Sequence, residues 1–537
     1  MSLRRSALAL LLACVFSSAH ATLPEAVAKL AAAGGIPEDA IGAVVLRGDT
    51  ILVSNEADRL MNPGSTIKLV TTLVGLEELG PVFRGRTELR SNGDIVNGVL
   101  RGDLILRGGA DLDLNADALT HLLERLRTLG IRKIAGDLVL DRQLFQPARP
   151  DAGAPPFDEA PEAYYNVVPD ALLLNMNMLS VEMAADARAM TVSMLPELDK
   201  VDVKSAMTLV DGDCAKWDSG WQPPTTIKNG ERLTVVLHGT FPRNCRKSYG
   251  INVLDRDAYA DRLVRATWKR LGGTIAGKTR TLDLAHYTSA VTAAAVAQGA
   301  VGTDGAAPRA QAPGVEPDGT RLLAEHVSRA LPELVRDTLK TSDNAFARML
   351  FLSLGSLQSD PVLGSHPLPA GERLAMLMAA NGEAKAGSVP ATTAAKANQV
   401  IRGWLKQQAI DGDGIVIENG SGLSRTERIK PVQLAAVLRA GQSSWWLPEF
   451  QASLPIVGMD GTMRRRLKDS TAASRARIKT GTLKGVIAVA GYVPDANGEE
   501  CIVVAIVNHE RAGNGVGRGI VDALIDWTAN SSAGSAM

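Results

Sequence analysis

Aromatic side chains are scarce in this 537-residue chain, at 4%, and its 58 Lys plus Arg are matched by 58 Asp plus Glu. Zero net charge leaves no electrostatic footprint for nucleic acid, and few aromatics leave no platform on which bases could stack. After the N-terminal segment no stretch holds 18 consecutive apolar residues, which excludes a further membrane span. The seven histidines are scattered, no His-Glu-x-x-His occurs, and His238 alone lies near a cysteine, at a spacing that fits no zinc pattern. Gly277-Lys278-Thr279 lacks the preceding glycine spacing of a phosphate loop. Glycine (51) and proline (26) imply many loops but follow no collagen-like period. Cysteine is limited to four residues.

What is present describes a folded, multi-domain protein. Hydrophobic residues make up 45% and charged residues 22%, and the length favours two to four domains at about 150 residues each. Arg4 and Arg5 precede an apolar stretch over 7–16, and Ala19-His20-Ala21 fits a small-x-small cleavage site. Residues 1–21 therefore read as a signal peptide removed before Thr22, which places the mature chain outside the cytoplasm. A minor alternative takes Leu11-Leu12-Ala13-Cys14 as a lipoprotein box with Cys14 acylated. Secretion permits a disulfide, and Cys214 and Cys245, 31 apart in a polar, loop-rich region, are the expected pair. Cys501 opens an apolar run to Val507 and is expected to be an inert core thiol.

Hydrophobic periodicity predicts a hairpin over 41–54 and a helix from Pro63-Gly64-Ser65 to Leu79, apolar on most sides and stopped by Gly80-Pro81. Residues 84–145 read as strands around a helix at 116–129, with a hairpin over 98–106 and a strand over 134–140. A long loop is expected over 146–163, short strands over 177–250, a helix over 256–271 and a linker over 288–320. A second helical block follows at 321–329, 331–339, 343–352, 370–380 and 392–408. Three late strands, 476–479, 486–493 and 502–507, precede a terminal helix over 520–528. Strands near both chain ends suggest one shared sheet, and tight late turns favour an antiparallel one.

Three short motifs carry chemistry. In Ser65-Thr66-Ile67-Lys68 a helix start puts a hydroxyl and an amine on one face, beside free backbone N–H groups. Serine needs an adjacent base, and a lysine whose pKa is depressed by burial and nearby cations can supply it. Ser342-Asp343-Asn344 lies at a break between two helices, where an ordinary N-cap would also stand. Lys479-Thr480-Gly481-Thr482 ends one predicted strand and precedes another, and could hold a carboxylate at a strand edge or simply form a hairpin turn. Ser-x-x-Lys, Ser-Asp-Asn and Lys-Thr-Gly in this order are the signature set of penicillin-interacting serine enzymes.

With these motifs the chain resembles the serine-type D-alanyl-D-alanine carboxypeptidase/endopeptidase family of low-molecular-mass penicillin-binding protein 4. The 277 residues from Ser65 to Ser342 exceed the spacing of ordinary β-lactamases and match the family's large inserted domains. Leu100-Arg101-Gly102-Asp103-Leu104, Gly136-Asp137-Leu138-Val139-Leu140-Asp141, the run from Tyr165 to Leu172, Asn419-Gly420-Ser421-Gly422-Leu423-Ser424-Arg425 and the stretch from Lys479 to Val493 also agree. The resemblance implies an α/β (α+β) sandwich of the serine β-lactamase/DD-peptidase type, with an antiparallel sheet, flanking helices and large inserted domains. It divides the chain into a peptidase domain over 22–84 and 321–537, an inserted domain over 85–176 and 251–320, and a nested domain over 177–250.

The resemblance also implies roles. Ser65 attacks the penultimate D-alanine carbonyl, and Lys68 takes its proton. Ser342 and Asn344 manage protons near the leaving amine, and Asn344 hydrogen-bonds Lys68. Lys479 keeps Lys68 neutral and attracts the terminal carboxylate, which Thr480 and Thr482 bind, with Gly481 allowing close approach. Backbone N–H groups of Ser65 and Thr482 form an oxyanion hole. No metal or organic cofactor is implied. The expected partners are peptidoglycan stem peptides and cross-links and β-lactam inhibitors, with a homo-oligomer left open.

Overall fold

The structure, a computed structural model, describes residues 22–297, 319–382 and 389–532. The expected signal segment, Cys14 and residues 298–318 of the expected linker lie outside them. Among the described residues no helix is long and apolar enough to cross a membrane.

The central sheet has five strands in the spatial order Thr50–Asn55, Ile41–Arg47, Glu500–Asn508, Val486–Pro494 and Arg477–Leu483, every neighbouring pair antiparallel. The two chain ends thus share one sheet, as the strand pattern predicts. Its two middle late strands are buried at nearly every residue, because both faces are covered. Alternate side chains go to opposite sides. Ala488, Ala490, Tyr492, Ile502, Val504 and Ile506 pack into one core with the helix Lys68–Glu78, while Ile487, Val489, Val493, Val503, Ala505 and Val507 pack into another. The second core is closed by the helices Glu25–Ala33 and Val516–Asn530. Full burial of each Val or Ile contributes about 2 kcal/mol relative to exposure. The layers are therefore terminal helices, sheet, and a helical block.

That block contains Leu331–Thr341, Asn344–Leu354, Ala370–Ala380 and Thr393–Gln407 at the expected places. Two further helices, Pro431–Ser443 and Leu447–Ser453, have no counterpart in the sequence reading.

The region between the first strands and this block builds a separate apolar core under the helices Ala116–Thr128 and Arg256–Arg270. Its main sheet runs Thr279–Thr281, Leu138–Asp141, Leu104–Gly109, Arg86–Ser91 and Arg321–Val327. Strands between residues 179 and 251 form two separate sheets that pack into the same core, and Cys214 is bonded to Cys245 with Cα atoms 5.5 Å apart. Cys501 is free and buried in its strand.

Several expectations need correction. Residues 321–327 form a strand where a helix was expected, because pairing with Arg86–Ser91 overrides a helix-compatible pattern. Residues 284–297 are helical, so the first part of the expected linker is ordered secondary structure. The hairpin over 98–106 is absent: Val99–Leu100 pairs with Ile95–Val96, whereas Leu104–Gly109 joins a different sheet. The strand over 134–140 is divided into Lys133–Ile134 and Leu138–Asp141, and Ala135-Gly136-Asp137 passes between the two sheets. Lys479 to Thr482 lie inside the strand Arg477–Leu483, and the turn comes only after it.

Candidate active site

Ser65 sits in a 3-10 turn, Gly64–Ile67, that leads into the helix Lys68–Glu78. The turn is anchored to the central sheet. Asn62 accepts from the Gly64 N–H at 2.9 Å, and its own N–H donates to the Asn508 side chain at 2.7 Å. In 3-10 geometry residues three apart eclipse one another. The Lys68 Nζ consequently lies 3.0 Å from the Ser65 Oγ.

Lys68 is fully buried. Besides Ser65, its amine donates to the Asn344 Oδ1 at 2.7 Å and to the Ser421 carbonyl. Burial lowers its pKa from 10.5 to about 7; Asp343 and Glu427 oppose the shift, and Arg348 adds to it. Near neutral pH a large share of the amine carries a free lone pair, next to the serine hydroxyl.

Ser342 closes the helix Leu331–Thr341 in a left-handed conformation, φ 62°. Asp343 caps the next helix by accepting from the Phe346 N–H at 2.9 Å. The capping role expected of an ordinary loop is thus present, and in the same segment Asn344 reaches Lys68 while Ser342 faces the sheet edge. Lys479 donates to the Ser342 Oγ at 2.8 Å and to the Thr480 carbonyl at 2.7 Å. Lys479 is also fully buried, so it is no surface lysine. Burial first, and the Lys68 charge second, push its pKa well below the ordinary value. For Lys68 too, burial is the largest cause.

The Lys479 strand is the outer strand of the central sheet, with one side unpaired by the sheet. Thr480 is nearly buried, its hydroxyl 2.9 Å from that of Thr462, whereas Thr482 is exposed. Gly481 faces the serine turn so closely that a Cβ there would stand 2.7 Å from the Pro63 carbonyl oxygen and 2.9 Å from the Ser65 nitrogen. Any side chain would force strand and turn apart.

All eight site residues named from the sequence therefore meet around this turn and strand edge. The sequence reading assigned no role to Ser421, Glu427, Arg348 or Thr462. Glu427 is fully buried, accepts from the N–H groups of Asn419 and Gly420, and has its pKa raised to about 7 by burial. The available signal was the glycine pair around Ser421. Gly422, at φ +84°, packs so tightly that a Cβ would meet the Gly64 carbonyl oxygen at 2.2 Å. Among the described residues no cluster of three His, Cys, Asp or Glu side chains could hold a metal ion.

The model of the D-Ala-D-Ala carboxypeptidase 3 (S13) family matches residues 23–294 and 375–531. The chain belongs to this family. A curated relative from Haemophilus influenzae, D-alanyl-D-alanine carboxypeptidase DacB, is 27% identical over 477 residues, covering 86% of this chain and 84% of the relative. A D-alanyl-D-alanine carboxypeptidase from Actinomadura sp. is 25% identical over 477 residues, covering 86% and 76%. The crystal structure of penicillin-binding protein 4 from H. influenzae superimposes with a TM-score of 0.66 at 22% identity, covering 94% of this chain and 99% of that one. It shares the mixed α/β fold with the antiparallel sheet. As a member of the S13 family, this chain is a serine-type D-Ala-D-Ala carboxypeptidase.

Proposed function

We propose that this S13 enzyme is a periplasmic D-alanyl-D-alanine carboxypeptidase and DD-endopeptidase that cleaves peptidoglycan stem peptides and cross-links through an acyl-enzyme on Ser65. The observation that carries this reading is the buried Lys68 amine, 3.0 Å from the Ser65 hydroxyl and with a pKa near 7. As Ser65 Oγ attacks the penultimate D-alanine carbonyl, its proton passes to Lys68 Nζ. The N–H groups of Ser65 and Thr482 receive the developing oxyanion, each worth about 3 kcal/mol in the transition state. The C–N bond then breaks, and the leaving amine takes a proton through Ser342, steadied by Asn344 and Lys479. Water resolves the ester, with Lys68 receiving the water's proton. Cleavage of the signal segment would release the mature chain into the periplasm.

The terminal carboxylate binds Lys479, Thr480 and Thr482. Without a carboxylate Lys479 is held below its ordinary pKa by burial; an anion beside it favours the charged form. Amidating the carboxylate of a D-Ala-D-Ala peptide should therefore reduce kcat/KM strongly, and Lys479→Gln should erase most of that discrimination. A cycle of two enzymes and two peptides measures it; full carboxylate preference in the variant would place recognition elsewhere. A β-lactam offers a strained amide and a carboxylate in the same arrangement, so it should acylate Ser65 and leave slowly. In support, one solved structure of the H. influenzae protein is a complex with a β-lactam.

Digestion of purified muropeptides followed by mass spectrometry tests the function. Loss of one alanine marks carboxypeptidase action, and splitting of dimers marks endopeptidase action. Ser65→Ala should abolish both, together with covalent labelling by fluorescent penicillin. Labelling of that variant at the wild-type rate would refute the assignment.

A further inference from the structure

The first turns of the helix Asn344–Leu354 are held by one short segment from far away in the chain. The Tyr164 hydroxyl donates to the Asp343 Oδ2, leaving the other carboxylate oxygen to cap the helix at the Phe346 N–H. The Asn344 Nδ2 donates to the Tyr165 carbonyl at 3.0 Å, which turns its Oδ1 toward Lys68. One turn on, Arg348 donates to the Val167 carbonyl at 3.0 Å. Residues 164–167 thus grip the start of the helix at three places, Asp343, Asn344 and Arg348, two through backbone carbonyls and one through a side chain. Tyr164 is 36% exposed, so apolar burial does not account for a tyrosine here. Its phenol is the interacting group: the oxygen end is enclosed although the residue as a whole is not, and that burial, with Asp343 beside it, raises the phenol pKa and keeps it a donor.

We propose that Tyr164 is a positioning residue of the active site, acting through Asp343 to set the orientation of Asn344 and the charge that Lys68 meets, so that docking of the inserted segment on the helix tunes acylation. This rests on the acyl-enzyme reading above. Lys68 faces charged or titratable groups on three neighbouring elements: Asp343 and Arg348 on the helix, Glu427 after the glycine pair, and Lys479 on the sheet edge. Of these, Asp343 is the one whose charge the phenol disperses. Burial raises the Asp343 pKa and the phenol's hydrogen bond opposes that rise; where Asp343 stays ionised, loss of the phenol leaves its carboxylate acting more strongly on Lys68, which then holds its proton to higher pH.

The test is the pH dependence of acylation by a fluorescent penicillin for wild type, Tyr164→Phe and Tyr249→Phe. Tyr249→Phe removes a phenol that shares the cavity of Tyr164 and Phe346 but whose ring packs on Trp217 and Trp221. In Tyr164→Phe the acylation rate constant at pH 7 should fall roughly five- to tenfold, with the acid limb displaced upward by up to about one unit. The dissociation constant of the initial complex and the thermal midpoint should stay near wild type, and Tyr249→Phe should keep the wild-type limb. An unmoved limb, a downward displacement, or an equal rate loss at every pH with a lower thermal midpoint would overturn the proposal. Wild-type protein that takes no label at all would overturn the acyl-enzyme reading itself, which separates the two failures.

Discussion

The central sandwich and the inserted body solve the burial problem in opposite ways. In the sandwich, Val486–Pro494 and Glu500–Asn508 are covered on both faces, and two cores share them by alternation. In the inserted body, Trp221–Asn229 is largely exposed, and the surrounding sheets are small. There the Cys214–Cys245 bond ties the chain covalently beside the packed rings of Trp217, Trp221, Phe241 and Tyr249. The difference matches the work of each part. The sandwich bears two buried lysines, whose low pKa values require a dry and unyielding surround.

The sharpest break in this comparison is made at Lys68. Lys68→Ala should lower acylation by about 10²–10⁴-fold, as loss of a general base does. Lys68→Arg should not restore it, because guanidinium stays charged and accepts no proton. Near-normal acylation by the arginine variant would show another group to be the base. In the intact enzyme, acylation should rise with pH through about 7, as Lys68 loses its proton. A stopped-flow profile checks this, and a rate independent of pH between 6 and 8 would contradict it.

Stability should divide along the same line. Ile506→Ala, in the doubly covered strand, should cost about 2–5 kcal/mol in denaturant unfolding. Reducing the disulfide should remove a comparable contribution, roughly 3–4 kcal/mol on a chain-entropy view, and should loosen the inserted body before catalysis fails. Peptide mapping and hydrogen exchange locate that loosening, and loss of activity ahead of it would show tighter coupling between the bodies. Ile227→Ala, at a side chain 58% exposed, should change stability by no more than about 0.5 kcal/mol. Equal costs at Ile506 and Ile227 would erase the distinction between the two regions.

The buried lysine gives a signed prediction on stability as well. Its pKa is lower in the folded chain than unfolded, so the unfolded state binds more protons between about pH 7 and 10.5. The stability cost of burying it is fully present below about pH 7 and shrinks as pH rises toward 10.5. Lys68→Met should therefore raise the melting temperature at pH 6 while abolishing activity, with the gain shrinking at pH 10. A gain that grows with pH would reverse the sign and refute the burial account.

Much of the peptidase layer was legible because its signals are local or periodic. The apolar runs at 486–493 and 502–507 identify buried strands, and Gly80-Pro81 ends the helix that follows the serine turn near where it stops. Ser65 and Lys68 announce their contact by spacing alone, since three residues make one 3-10 turn. The misreading of 321–327 has a different origin. The segment carries no strong alternation, and only a partner more than 200 residues earlier makes it a strand.

The sequence by itself determined the three motifs, the family they point to, the disulfide pair and the strands that feed the central sheet. Each rests on residue identity or on a period of 2 or 3.6, which the backbone imposes on every chain. The tertiary structure decided how those motifs become chemistry. It brought the Asn344 oxygen within 2.7 Å of Lys68 across a sequence separation of 276, set the Ser421 carbonyl on the same amine, and turned Tyr164 onto Asp343. It also removed water from both lysines, and the resulting pKa depression is a property of the packed surround rather than of lysine. Desolvation is summed over neighbours drawn from all parts of the chain, so no local pattern can encode it.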